Sequence, residues 1–200
     1  MKRPETLLRD IFGFSEFRPG QSEIIDAVVD KKNVLAIMPT GGGKSLCFQI
    51  PALMGEGLTV VISPLIALMR DQVRGLQAAG VAAEAITSAN TEEETDKIFS
   101  ALNASKLRIL YLAPERLAST AMQSALHRYN VVSLVVDEAH CVSQWGHDFR
   151  PDYLRIGELR RSLGVPLAAF TATADEETRQ EIIERLFDGI APSSFLHGFD

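Results

Sequence analysis

Apolar residues in this chain fall into short unbroken runs separated by stretches of helical period. Runs at 34–38, 58–62, 83–86, 109–112, 134–136 and 167–170 are rich in Val, Ile and Leu, as strands buried on both faces must be. Between and after them, apolar positions recur every three or four residues at 66–79, 92–102, 120–129, 153–163 and 176–187, which predicts helices. Two further helices precede the first strand. One covers 5–12, with Leu7, Leu8, Ile11 and Phe12 on one face, and the other covers 21–29, with Ile24, Ile25, Val28 and Val29 inward. Residues 14–20 form the turn between them. Alternating strands and helices specify an α/β fold: one doubly wound, mainly parallel sheet flanked by helices, without repeats or a long linker.

Such a sheet binds its ligand outside the carboxyl ends of the strands, and the chemistry-bearing residues fall there. After the first run comes Pro39-Thr40-Gly41-Gly42-Gly43, then Lys44-Ser45, which can open a helix. Consecutive glycines let backbone N–H groups converge on an anion, and a helix starting at Lys44 adds its unpaired N–H groups and positive dipole end. Lys44 supplies a charge for the outer phosphates of a nucleoside triphosphate, and the Ser45 hydroxyl a ligand for Mg²⁺. The strict phosphate-loop pattern has glycine where this chain has Met38; its Gly-Lys-Ser end is intact. Later, Asp137 and Glu138 follow a buried run, where one carboxylate can hold Mg²⁺ and its neighbour can orient and deprotonate a water. Adjacent acids at a strand end are otherwise a solvated turn.

Composition narrows the setting. With 200 residues, 46% of them hydrophobic, the chain is sufficient for one core. No apolar run nears the roughly 20 residues of a membrane span, and MKRPETLLRD is no secretory signal. Cys47 and Cys141 are the two cysteines and form no disulfide framework, so a reduced cytoplasmic location is expected. The net charge of −6 argues against holding nucleic acid by bulk electrostatics, though not against local contact.

MPTGGGKS, VVDEAH and FTATA, in this order, resemble superfamily 2 helicases and translocases. FRPGQ, SPLIALMRDQ, YLAPERL and above all DEAHCVSQWGHDFRPDY resemble the RecQ family of DNA helicases, over nearly the whole chain. The resemblance implies a RecA-like P-loop domain that uses ATP and Mg²⁺, with Lys44, Asp137 and Glu138 catalytic. It assigns Thr40, Gly41, Gly42, Gly43, Lys44 and Ser45 to the phosphates, and Ser45 and Asp137 to the metal. Phe14, Arg18 and Gln21 match the family's adenine-reading motif; core packing is the competing use of Phe14 and Phe17. The segments 63–72 and 111–117 match motifs that touch the nucleic-acid backbone, where Arg70 and Arg116 are candidate contacts.

Residues 141–153 place Trp145, His147, Phe149 and Arg150 directly after the acids. Flat rings stack on unpaired bases and arginine meets phosphate, although anchoring a core is the commoner use of tryptophan. The family implies a loop that senses single-stranded DNA and reports to the hydrolysis site through Gln144 and His140. Thr171 and Thr173 match the motif coupling hydrolysis to unwinding; capping the next helix is their alternative use. His140, His147 and Cys141 fit no usual zinc spacing. The resemblance further implies a second RecA-like domain, carrying an arginine finger and lying beyond Asp200. It implies single-stranded DNA and duplex junctions as partners, 3′→5′ unwinding by the full protein, and slow hydrolysis without unwinding by this portion. A P-loop ATPase acting on protein or small molecules, and a nucleic-acid-binding adaptor, are the alternative readings.

Overall fold

The computed structural model describes residues 1–39, 43–172 and 175–196. Helices α1 (Pro4–Asp10) and α2 (Gln21–Val29) lead into β1 (Val34–Ile37). There follow α3 (Lys44–Met54), β2 (Leu58–Ile62), α4 (Ile66–Ala78), β3 (Ala83–Ile86), α5 (Glu92–Asn103) and β4 (Ile109–Leu112). The chain continues through α6 (Thr120–Arg128), β5 (Val131–Val136), α7 (Leu154–Leu163), β6 (Leu167–Thr171), α8 (Glu176–Phe187) and β7 (Ser193–Leu196). Each expected strand and helix is present. β5 starts at Val131 rather than at the expected 134, and β7 is an addition that the apolar pattern did not announce.

The strands form one sheet in the order β3-β4-β2-β5-β6-β1-β7, and every adjacent pair is parallel. Successive strand residues point to opposite faces, so each run feeds two cores. Val34 and Ala36 join the side covered by α1–α4, with Ile24, Ile50 and Met69, while Leu35 joins the side covered by α5–α8, with Ile98, Leu126 and Ile182. Phe48 of α3 meets Phe170 of β6 edge to face at 5.5 Å between ring centroids, an arrangement worth about 0.5–1.5 kcal/mol beyond its buried area.

Local sequence fixes the helix starts. Thr91 and Glu94 form a reciprocal capping box on α5, and Asp175 accepts from the Thr178 N–H on α8. At the β3 edge, Gln77 Nε2 donates to the Ala83 carbonyl at 2.9 Å and Asn90 Nδ2 to the Ala85 carbonyl at 3.0 Å. Side-chain amides thus occupy carbonyls that would otherwise template another strand. Among the described residues, no helix is long and apolar enough to cross a membrane.

The order brings β5, β6 and β1 side by side, with Val136 opposite Ala169 and Thr171 opposite Ile37. The segments that follow these three strands therefore leave the sheet together at its carboxyl end, and the candidate site is built there.

Candidate functional site

Beyond β1, the Met38 N–H still donates to the Thr171 carbonyl, at 3.0 Å. Thr40, Gly41 and Gly42 lie outside the described residues, as does Thr173. Gly43 caps α3 at φ 76°, a left-handed conformation open to glycine. A Cβ on Gly43 would also overlap the amide nitrogen of Gln21. That amide donates to the Gly43 carbonyl at 3.0 Å, and its oxygen accepts from the Arg18 N–H at 2.8 Å. Gln21, only 1% exposed, thereby ties the FRPGQ turn to Gly43, the last of the three glycines. Phe14 is half exposed and is not a core residue, whereas Phe17 packs against the α1–α4 side.

Lys44 and the acidic pair meet at the carboxyl end of the sheet. Lys44 Nζ is 3.0 Å from Asp137 Oδ1 and 3.4 Å from Glu138 Oε1. Burial pulls the Lys44 ammonium down, but the charges and hydrogen bonds of Asp137 and Glu138 outweigh it and hold its pKa above the ordinary value. Glu138 adopts left-handed backbone angles (φ 55°, ψ 46°), which cost a non-glycine residue about 1–3 kcal/mol. Two bonds hold this corner. The Glu138 N–H donates to Asp137 Oδ1 at 3.0 Å, and the fully buried Tyr153 hydroxyl donates to the Asp137 carbonyl at 2.8 Å.

His140 is the hub between the acids and their surroundings. Its Nδ1 lies 2.8 Å from Thr171 Oγ1 and 3.5 Å from Glu138 Oε2, and its Nε2 lies 3.4 Å from Asp148 Oδ2. The expected link through Gln144 takes another course here. The Gln144 N–H goes to Glu181 Oε2 at 2.8 Å and its side-chain oxygen accepts from Arg185 Nη2 at 3.5 Å, both on α8. Asp148 makes the contact with His140 instead, because the Arg150 N–H donates to the Cys141 carbonyl at 2.9 Å and folds the segment back over the 3-10 turn Ala139–Val142.

The aromatic segment stands out from the surface. Trp145 is 82% exposed, so it anchors no core; Gln144, His147 and Arg150 are exposed and Phe149 is half-buried. Burial, only partly offset by Arg150, pushes the Cys141 thiol up to about 11. Of the backbone-motif arginines, Arg116 donates to the Thr87 carbonyl at 2.7 Å.

Several participants escaped the sequence. Gln49 of α3 donates to the Tyr111 hydroxyl at 2.9 Å, which donates to Gln72 of α4 at 2.7 Å, linking the helix that Lys44 opens to β4 and α4. Glu181 is a carboxylate on the apolar stripe of α8 beside Ile182, an incongruity legible in the helical period. Asp148 had no such signal.

Known proteins resemble this chain in sequence and in fold. Residues 18–182 match the model of the family described as DEAD/DEAH box helicase. The chain is 45% identical over 182 residues to the protein named ATP-dependent DNA helicase RecQ of Haemophilus influenzae, covering 90% of this chain and 29% of that one. It is 46% identical over 189 residues to the protein of the same name in Bacillus subtilis, covering 93% of this chain and 32% of that one. The chain thus spans about a third of the length of these relatives. In fold it is similar to the Hef helicase domain of Pyrococcus furiosus (TM-score 0.70, 21% identity, 94% of this chain and 39% of that one). It is likewise similar to a hypothetical ATP-dependent RNA helicase of Sulfolobus tokodaii (TM-score 0.73, 21% identity, 97% and 56%). The parallel sheet is therefore that of the RecA-like helicase domains, and the chain belongs to the DEAD/DEAH box helicase family.

Proposed function

We propose that this chain is the first RecA-like, ATP-binding motor domain of a RecQ-type DNA helicase. The full-length protein would couple ATP hydrolysis to 3′→5′ unwinding, with the nucleotide between this domain and a second one. The contact of Lys44 with Asp137 and Glu138 carries the reading. An ammonium held by two carboxylates at the end of a glycine-rich loop is poised to exchange them for phosphate oxygens.

The donor set fits a nucleotide with Mg²⁺. Among the described residues no group of three or more His, Cys, Asp or Glu could hold a metal alone. Mg²⁺ needs only one or two protein ligands when phosphates supply the rest, and Asp137 with the Ser45 hydroxyl meets that need. Bound there, Mg²⁺ would neutralise charge developing on the phosphate oxygens. Lys44 holds the outer phosphates, while Glu138 orients a water and accepts its proton as the water oxygen attacks the γ-phosphorus and the bond to the β-phosphate oxygen breaks. Phe14, Arg18 and Gln21 would receive the adenine, Gln21 by exchanging its bonds to the Gly43 carbonyl and the Arg18 N–H for the base edge.

On the DNA side, Trp145, Phe149, His147 and Arg150 suit stacking and phosphate contact with single strands and duplex junctions. His140, through Asp148 and Thr171, joins that surface to Glu138. The protein works in the cytoplasm, at the nucleoid if bacterial. The test is ATPase activity of the full-length protein with and without single-stranded DNA. Lys44→Ala and Glu138→Gln are expected to abolish turnover and Trp145→Ala to weaken its response to DNA. Equal stimulation of the Trp145→Ala variant would remove the sensing role.

A further inference from the structure

Glu181 lies on the inner side of α8, 9% exposed, and directs both carboxylate oxygens into the base of the aromatic segment. Oε1 accepts from Ser143 Oγ at 2.9 Å and Oε2 from the Gln144 N–H at 2.8 Å. One turn along the same helix, Arg185 reaches the Gln144 side-chain oxygen. A leucine at 181 would serve helix packing alone, whereas a buried carboxylate is strongly unfavourable unless its hydrogen bonds are made. Here they are made to the two residues immediately before Trp145. The far end of the segment is tied separately to the β5 end, through Arg150 to Cys141 and Tyr153 to Asp137. Exposed residues 145–148 therefore span two anchors on different elements. One anchor is the helix whose cap, Asp175, lies shortly after Thr171, the partner of His140.

We propose that Glu181 is a positioning residue: it fixes Ser143 and Gln144 on α8 so that Trp145 is presented to single-stranded DNA. The inference rests on the DNA-responsive ATPase reading above. It gives α8 a part in the response, although none of the groups assigned to nucleotide or DNA lies on that helix.

The test uses the full-length protein with Glu181→Leu and Glu181→Gln. Leucine keeps the volume and removes both acceptors. Glutamine keeps an acceptor for the Gln144 N–H, and its NH2 can donate to Ser143 Oγ, since a hydroxyl both gives and receives. Amide hydrogen exchange at Gln144 reads the anchor directly, without DNA, and is expected to lose protection in the leucine variant and keep it in the glutamine variant. Losing both anchoring bonds should raise the oligonucleotide concentration for half-maximal ATPase stimulation at least ~10-fold for leucine, with glutamine near the unaltered protein. A leucine variant with unaltered half-maximal concentration, or one in which glutamine fails equally, overturns the proposal. If the unaltered protein shows no stimulation by DNA while Gln144 exchange follows the expected order, the DNA-responsive reading itself falls, and the inference with it.

Discussion

His140 Nε2 sits 3.4 Å from Asp148 Oδ2, while the other nitrogen of the same ring faces Glu138 and Thr171. One imidazole thus touches the carboxylate assigned to water activation, the exposed aromatic segment and the end of β6. A displacement of the segment cannot leave all three contacts intact, so the geometry offers a short mechanical path from the exposed segment to Glu138.

If that path is used, His140 and Asp148 act as one unit. In a double-mutant cycle on DNA-stimulated kcat, His140→Ala and Asp148→Ala should be non-additive, the double variant losing little more than the worse single one. Additive losses would mean that the two residues act separately.

Lys44 gives a pH signature. Its folded-state pKa is raised, so its stabilising pairing is fully present below the ordinary lysine value and is lost as pH climbs through the raised folded value. Urea unfolding of the unaltered chain and of Lys44→Met should differ by a constant amount from neutral pH, where both carboxylates are charged, up to about pH 10, and the gap should shrink above it. The gap itself is expected near ~1–3 kcal/mol, because removing Lys44 leaves the buried Asp137 carboxylate without its cation.

Both thiols should be silent in the folded protein. Burial lifts Cys47 to about 12 and Cys141 to about 11, and the thiolate is the reactive form. A disulfide reagent at neutral pH is expected to titrate neither cysteine until denaturant is added, and then both.

Phe170→Ala should cost about 3–5 kcal/mol in denaturant unfolding. The ring is fully buried, joins β6 to α3 through Phe48, and leaves a cavity between sheet and helix when removed.

Much of this molecule was legible in its residues, for physical reasons. Strands β1, β2 and β4 are buried on both faces, so they read as unbroken apolar runs. β7, Ser193-Ser194-Phe195-Leu196, is an edge strand with alternating half-buried and exposed residues, too short and polar to announce itself. The sheet rule brought Lys44, Asp137 and Thr171 to one end without any contact being known. What stayed hidden are pairings across long separations: Gln21 with Gly43, Ser143 with Glu181, Tyr153 with Asp137. Each depends on how loops lie over the sheet, which hydrophobic period does not encode.

The most direct measurement is the thermal midpoint of this chain, unaltered and with Lys44→Ala, titrated with ATP and Mg²⁺. A ligand binding the folded state at a hundredfold excess over Kd adds about 2.7 kcal/mol, or roughly 5–10 °C for a domain of this size. The midpoint of the unaltered chain should rise by that amount, dependent on Mg²⁺, and the rise should be lost in Lys44→Ala. Equal rises in both chains would contradict a triphosphate held between Lys44 and the acidic pair.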